Sequence, residues 1–191
     1  AQFNPLIGDL HGNAKKIIES CRKVANDNVN LLLTPELSLW GYPPRDLLLD
    51  VDRCTQQTEI IHEISDILKV EQPELSVLIG IAEPAPDKQL PNLFNSLVLV
   101  GNGEWNVVAR KQLLPTYDVF DEKRYFRAEK GTSVITLKDS NRNWEIGLTI
   151  CEDLWVEEEL QGQRIRGPNP INQLLKRSPD LLINLSASPF G

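Results

Sequence analysis

Histidine is scarce in this sequence, and methionine is absent from it. His11 lies in a turn-like stretch, and His62 lies in an amphipathic helical pattern that is typical of a surface position. Neither follows a predicted strand, so the usual activation of a nucleophile by histidine is not indicated, although a Cys–His dyad stays open. A nucleophile in this chain is therefore expected to use another kind of side chain as its base.

Cysteine is also rare, and the chain has Cys21, Cys54 and Cys151. An odd number at unrelated spacings excludes a disulfide framework and a zinc pattern, so we expect no metal site. A reducing compartment, the cytoplasm, is the simplest location for such a chain. Cys21 and Cys54 lie in helical patterns, where a small buried hydrophobe is the ordinary role of cysteine.

Long apolar runs are missing as well. No segment approaches the roughly 20 residues of a membrane-spanning helix, and the given residues show no basic n-region or apolar h-region typical of a secretory signal. The formal net charge of −7 argues against nucleic acid or an anionic membrane as the main partner. The 191 residues, 41% of them hydrophobic, suffice for one domain with a sizeable core.

Helical and strand patterns alternate along the chain, which predicts an α/β layered fold. Polar clusters follow several of the strands, and in α/β sheets ligands bind outside the carboxyl ends of strands. A Gly-Asn-Gly sequence at 101–103 predicts a hairpin turn. The predicted helices span residues 13–25, 53–70 and 172–176, and the predicted strands span 31–33, 76–81, 95–100, 104–109, 144–150 and 180–185.

Cys151 is the candidate nucleophile. It ends an apolar strand, and the turn that follows is expected to expose its side chain. Because buried inert cysteines are common, both a catalytic and a structural role stay open from the pattern alone.

Glu36 and Lys111 are the candidate partners. Glu36 follows a predicted strand among apolar neighbours, where a carboxylate can act as a proton shuttle. Glu83, at a similar strand end, is the rival, but its flanks predict an exposed loop. Alternation sends Arg110 and Lys111 to opposite faces of their strand, so one of them is expected to face the site.

The order Glu36, Lys111, Cys151 and the residues around each resemble the catalytic triad of the nitrilase, or carbon–nitrogen hydrolase, superfamily. Three motifs are similar to the glutaminase domains of glutamine-dependent NAD synthetases. They are GYPPRDLL at 41–48, LLPTYDVFDEKRYF at 113–126 and CEDLW at 151–155. The resemblance covers essentially the whole sequence.

The resemblance implies an α-β-β-α sandwich that pairs into a homo-oligomer. It implies Cys151 as nucleophile, Glu36 as proton acceptor and Lys111 as stabiliser of the tetrahedral intermediate. The residues implied to bind the substrate glutamine are Tyr117, Glu152 and Ser188, with Glu122 as an additional carboxylate near the triad.

The implied function is hydrolysis of glutamine, which supplies ammonia for ATP-dependent amidation of deamido-NAD to NAD. On this interpretation residues 1–191 are a glutaminase domain without a cofactor. A synthetase domain that uses ATP and magnesium is expected after residue 191. Two alternatives stay open: a free-standing amidase, such as an ω-amidase or carbamoylase, and a catalytically inactive nitrilase-like binding module.

Overall fold

Two β-sheets form the centre of the molecule. The computed structural model describes residues 1–87, 89–117, 120–154 and 169–187. The first sheet has the order β1 (Leu31–Leu33), β2 (Ser76–Pro84), β3 (Leu93–Gly101), β4 (Glu104–Arg110), and the second has the order β5 (Ser133–Lys138), β6 (Asn143–Ile150), β7 (Leu181–Leu185). The β1–β2 and β6–β7 pairs are parallel, and the other neighbouring pairs are antiparallel.

Side chains of β2 alternate between two cores, as a pleated strand requires. Val77 and Ile79 belong to the core shared with the helices α1 (Leu10–Lys23) and α2 (Val51–Glu71), whereas Leu78 belongs to the core between the two sheets. The third helix, α3 (Pro170–Leu175), lies on the outer face of the second sheet, where its Leu174 approaches Gly147. The layering is α-β-β-α, as predicted.

Capping residues set where the two long helices begin. The Asp9 side chain accepts a hydrogen bond from the Gly12 N–H, so α1 begins at Leu10. The prediction of a turn at His11 is therefore wrong, because that residue lies in the first turn of α1. Asp50 caps α2 in the same way. Of the helices in the described ranges, none has the length and apolar character needed to cross a membrane.

The predicted hairpin at residues 101–103 is present. Asn102 and Gly103 have φ angles of 53° and 78°, which suit the tight turn between β3 and β4. The strand β5 was not predicted from the sequence. Its sequence SVITLK is interrupted by Thr136, so it lacks the longer apolar run of a strand such as β2.

The loop after β1 is fastened to β2 at Gly80. Ser38 Oγ accepts a hydrogen bond from the Gly80 N–H at 3.1 Å, and the Leu39 N–H donates to the Gly80 carbonyl at 3.2 Å. A Cβ atom at position 80 would lie 2.2 Å from the backbone nitrogen of Leu37. Only glycine therefore lets the backbone of Glu36 and Leu37 lie against the sheet.

We predict that Gly80→Ala destabilises the chain by about 2 kcal/mol or more, because the methyl group must displace backbone atoms. Gly101→Ala is the control, since a Cβ there would lie 3.0 Å from the Ser76 hydroxyl oxygen, which can rotate away, and 3.2 Å from its nearest backbone atom, the Leu75 carbonyl oxygen, against 2.2 Å at Gly80. Urea unfolding measures both variants. Equal losses of unfolding free energy in the two variants would contradict the close approach of the Leu37 backbone to Gly80.

Candidate active site

A buried ammonium group lies between two carboxylates at one end of the first sheet. Lys111 Nζ donates to Glu36 Oε1 and to Glu122 Oε1, each at 2.7 Å. Glu36 Oε1 also accepts from Asn95 Nδ2 at 2.7 Å, and its Oε2 accepts from the Ala187 N–H at 3.2 Å. The structure therefore brings together three of the predicted site residues.

The strand β4 places Lys111 in this cluster. Its backbone N–H donates to the Asn95 carbonyl at 2.8 Å, one residue beyond the end of β4. Arg110 faces the other way and forms ion pairs with Glu83 and Glu129 at 2.6 and 2.8 Å, which agrees with the predicted alternation. Glu83 lies near the end of β2, and Arg110 holds its carboxylate. The residues predicted to form an exposed loop, among them Pro86 and Asp87, follow it and are exposed.

The surroundings of Lys111 keep it charged. Both Lys111 and Glu36 have no solvent exposure. Burial alone would lower the pKa of Lys111, but the charges of Glu36 and Glu122 raise it above its ordinary value. A buried cation is tolerated only where such partners surround it.

Glu122 has a near-neutral pKa. Burial raises it to about 7, against the opposing effect of Lys111. Tyr42 donates its hydroxyl hydrogen bond to Glu122 Oε1 at 2.7 Å. Glu122 Oε2 is buried without a hydrogen-bond partner among the described residues. This carboxyl group can therefore take up or release a proton near neutral pH, and it has an acceptor free.

Cys151 lies at the end of β6, where a short 3₁₀ helix, Cys151–Leu154, begins. Its side chain is buried, so the prediction of an exposed thiol is wrong, since the segment after β7 that includes Ser186 and Ala187 comes back over this end of the sheets. Burial and then the Glu36 charge raise the pKa of Cys151 to about 12, although Lys111 acts in the opposite direction. The thiol is therefore neutral at rest.

Tyr117 and Glu152, two predicted substrate-binding residues, lie together beside Cys151. The Tyr117 hydroxyl donates to Glu152 Oε1 at 2.9 Å, and its ring contacts Phe120 with centroids 5.3 Å apart. Ser188, the third predicted residue, lies outside the described residues. Their part in binding a substrate stays a prediction.

Sequence reasoning missed the polar partners of the cluster. Asn95 binds Glu36, and Tyr42 binds Glu122. The sequence carried a signal for Asn95, because the polar pair Asn95-Ser96 interrupts an apolar strand and polar groups in a buried strand need hydrogen-bond partners. No sequence pattern pointed to Tyr42, because its partner Glu122 is 80 residues away along the chain.

A model of the carbon–nitrogen hydrolase family matches residues 1–161. The chain belongs to this family. The family prediction and the enzyme class drawn from the resemblance are confirmed.

Proteins named glutamine-dependent NAD(+) synthetase are among the relatives of this carbon–nitrogen hydrolase domain. Those of Synechocystis sp. and Thermotoga maritima are 40% and 35% identical over the whole chain, which spans 34% and 30% of their lengths. The structure of the Acinetobacter baumannii synthetase, bound to ADP, matches with a TM-score of 0.77 at 29% identity, with all of this chain covering 32% of that one. The chain thus spans about a third of the length of these relatives.

An amidase from Nesterenkonia sp. has the same fold. Its TM-score is 0.71 at 21% identity, and the match covers 99% of this chain and 64% of the amidase. At this identity the likeness concerns the fold alone.

We predict that Glu122→Gln flattens the pH dependence of stability. Because the folded pKa of Glu122 is raised, the unfolding free energy of the parent falls as pH rises from about 4.5 to about 7. The variant lacks this titration. Its unfolding free energy should therefore fall by about 2–3 kcal/mol less than that of the parent between about pH 5 and about pH 7.5. Urea unfolding at the two pH values measures the difference.

Glu129→Gln is the control for this prediction. The pKa of Glu129 is lowered by its contacts with the Lys130 N–H and Arg110, although burial acts against them, so its titration lies below this pH interval. The titration of Glu122 near pH 7 is contradicted if the unfolding free energies of the two variants fall equally between the two pH values.

Proposed function

We propose that this domain hydrolyses the side-chain amide of glutamine and releases ammonia. The observation that carries the proposal is the Lys111 ammonium shared between Glu36 and Glu122 beside a neutral thiol, Cys151. A Cys–His dyad finds no support, because both histidines lie on exposed helix surfaces and have other partners. His11 on α1 contacts Gln56, and His62 on α2 contacts Trp105.

In the proposed reaction Cys151 Sγ attacks the amide carbonyl carbon, and Glu36 takes the thiol proton as the bond forms. The oxyanion is neutralised by the Lys111 ammonium and by the backbone N–H of Glu152. The carbon–nitrogen bond then breaks, and Glu36 returns the proton to the leaving ammonia. Water hydrolyses the remaining thioester.

In this proposal the side chains of Tyr117, Glu152 and Ser188 bind the substrate. Glutamine offers an ammonium, a carboxylate and an amide, which suit a site with acidic and hydroxyl groups. Glu122, with its pKa near 7 and its free acceptor, is the additional carboxylate and needs no metal or cofactor to act.

The ammonia is proposed to serve a synthetase domain that amidates deamido-NAD with ATP and magnesium. Support comes from the relatives named glutamine-dependent NAD(+) synthetase, which align with the whole of this chain. In this proposal residues 1–191 are the glutaminase domain of a homo-oligomeric cytoplasmic enzyme. A free-standing amidase is supported by the fold alone.

We predict that Cys151→Ala lowers the release of ammonia from glutamine at least about a thousandfold, because the acyl-forming nucleophile is lost. Cys54→Ala is the matched control, since Cys54 is buried to the same extent but lies in α2. A coupled ammonia assay measures both. Hydrolysis by Cys151→Ala at the parent rate would refute the mechanism, and a parent that prefers simple amides over glutamine would favour the free-standing amidase.

We predict that Glu36→Gln forms little or no glutamyl thioester, since nothing then takes the thiol proton during attack. Rapid quenching with glutamine, followed by intact-protein mass measurement, detects the adduct on Cys151. Glu83→Gln replaces the rival carboxylate and should acylate normally. Normal acylation of Glu36→Gln would remove Glu36 from the role of base.

A further inference from the structure

Asp153 is a buried carboxylate that has no part in the proposed reaction. It is 2% exposed and lies two residues after Cys151. Its Oδ1 accepts hydrogen bonds from the backbone N–H groups of Gln112 at 3.0 Å and Leu113 at 2.8 Å. Its Oδ2 accepts from the Ile150 N–H at 3.2 Å. One side chain thus joins the backbone that follows Lys111 to the backbone that precedes Cys151.

This connection crosses between the two sheets. Lys111 follows β4 of the first sheet, and Cys151 follows β6 of the second. Apolar side chains such as Leu78 and Leu148 fill the core between the facing sheets, and that packing is non-directional, whereas hydrogen bonds fix distance and angle. The Tyr117 hydroxyl on Glu152 and the Ala187 N–H on Glu36 also cross between the sheets. Asp153 differs from them because its one carboxylate holds the backbone next to Lys111 and the backbone next to Cys151.

The backbone at Cys151 needs such support. Its φ of +45° is unfavourable for a residue with a side chain and costs on the order of 1–2 kcal/mol. Hydrogen bonds hold the turn on both sides. Asp153 binds the N–H before Cys151, and Asn184 Nδ2 donates to the Cys151 carbonyl at 3.2 Å.

We propose that Asp153 is a positioning residue whose carboxylate sets the distance between the Cys151 thiol and the Lys111 ammonium. The inference deepens the proposed function and rests on it. The ionised form offers strong acceptors on both oxygens to all three N–H groups. An amide turns a donor toward one of them, and a protonated acid offers that group only a weaker hydroxyl acceptor.

Asp153→Asn tests this role because it keeps the shape of the side chain. We expect kcat for ammonia release to fall about tenfold to a hundredfold, with KM within about twofold of the parent, since a small misplacement of reacting groups slows chemistry without weakening binding. Asp180→Asn is the matched control. Asp180 Oδ2 also accepts a backbone hydrogen bond, from Glu145 at 2.9 Å, but at the far end of the same sheet.

Two outcomes of the kinetic test would overturn the proposal. One is a kcat for Asp153→Asn within about twofold of that for Asp180→Asn. The other is a loss in which kcat falls, KM rises and the unfolding midpoint drops together, because Asp153 would then support the fold in general and not the geometry of the site.

A measurement on the parent covers the case in which Asp153→Asn does not fold. Burial raises the pKa of Asp153 to about 6, although the three N–H groups and Lys111 act against it. The amide resonances of Gln112, Leu113 and Ile150 should therefore shift together with one midpoint near that pH, and the Glu145 amide should not share it. Three unrelated midpoints would overturn the proposal.

The amide titration needs no substrate. A parent chain that releases no ammonia from glutamine, while these three amides titrate together, would therefore refute the proposed function and leave the link between the two strand ends in place.

Discussion

The ammonium of Lys111, buried between the carboxylates of Glu36 and Glu122, is the interaction on which the rest of the site depends. Removing ions from water costs several kcal/mol each, so the cluster is stable only with its charges nearly balanced. One cation faces two acids, and burial together with the Glu36 charge raises the pKa of Glu122 against the effect of Lys111. Asn95, Tyr42 and the Ala187 N–H donate further hydrogen bonds to the two carboxylates.

This balance determines what the nearby thiol can do. In enzymes with a Cys–His pair, an imidazolium stabilises the thiolate before substrate arrives. Here burial and the charge of Glu36 raise the pKa of Cys151, so the thiol keeps its proton at rest. In the proposed mechanism its deprotonation belongs to the attack itself. Lys111 then neutralises charge that appears only in the transition state, which is the most effective use of a fixed cation.

Local pattern predicted the strands other than β5 and the side chains at their ends, because strand ends and alternation depend on neighbouring residues. Glu36 and Lys111 follow β1 and β4, the two edge strands of the first sheet. They meet because the loop after β1 lies across β2 at Gly80, which the pattern did not predict. The pairing of Asp153 with Gln112, 41 residues away, could not be predicted, since it depends on how one sheet lies on the other. The burial of Cys151 was missed because its cover includes the residues after β7.

The division of the site between two sheets has a further consequence. Glu36, Asn95 and Lys111 are joined to one another within the first sheet, and Gly80 keeps the Glu36 loop against it. Cys151 comes from the second sheet, so its position relative to that cluster depends on whatever crosses between them. The polar links that cross at the site include the Asp153 carboxylate, the Tyr117 hydroxyl bound to Glu152 Oε1, and the Ala187 N–H bound to Glu36 Oε2. Because apolar packing tolerates small sliding, the accuracy of the thiol's approach is set by these links and not by the strength of the core.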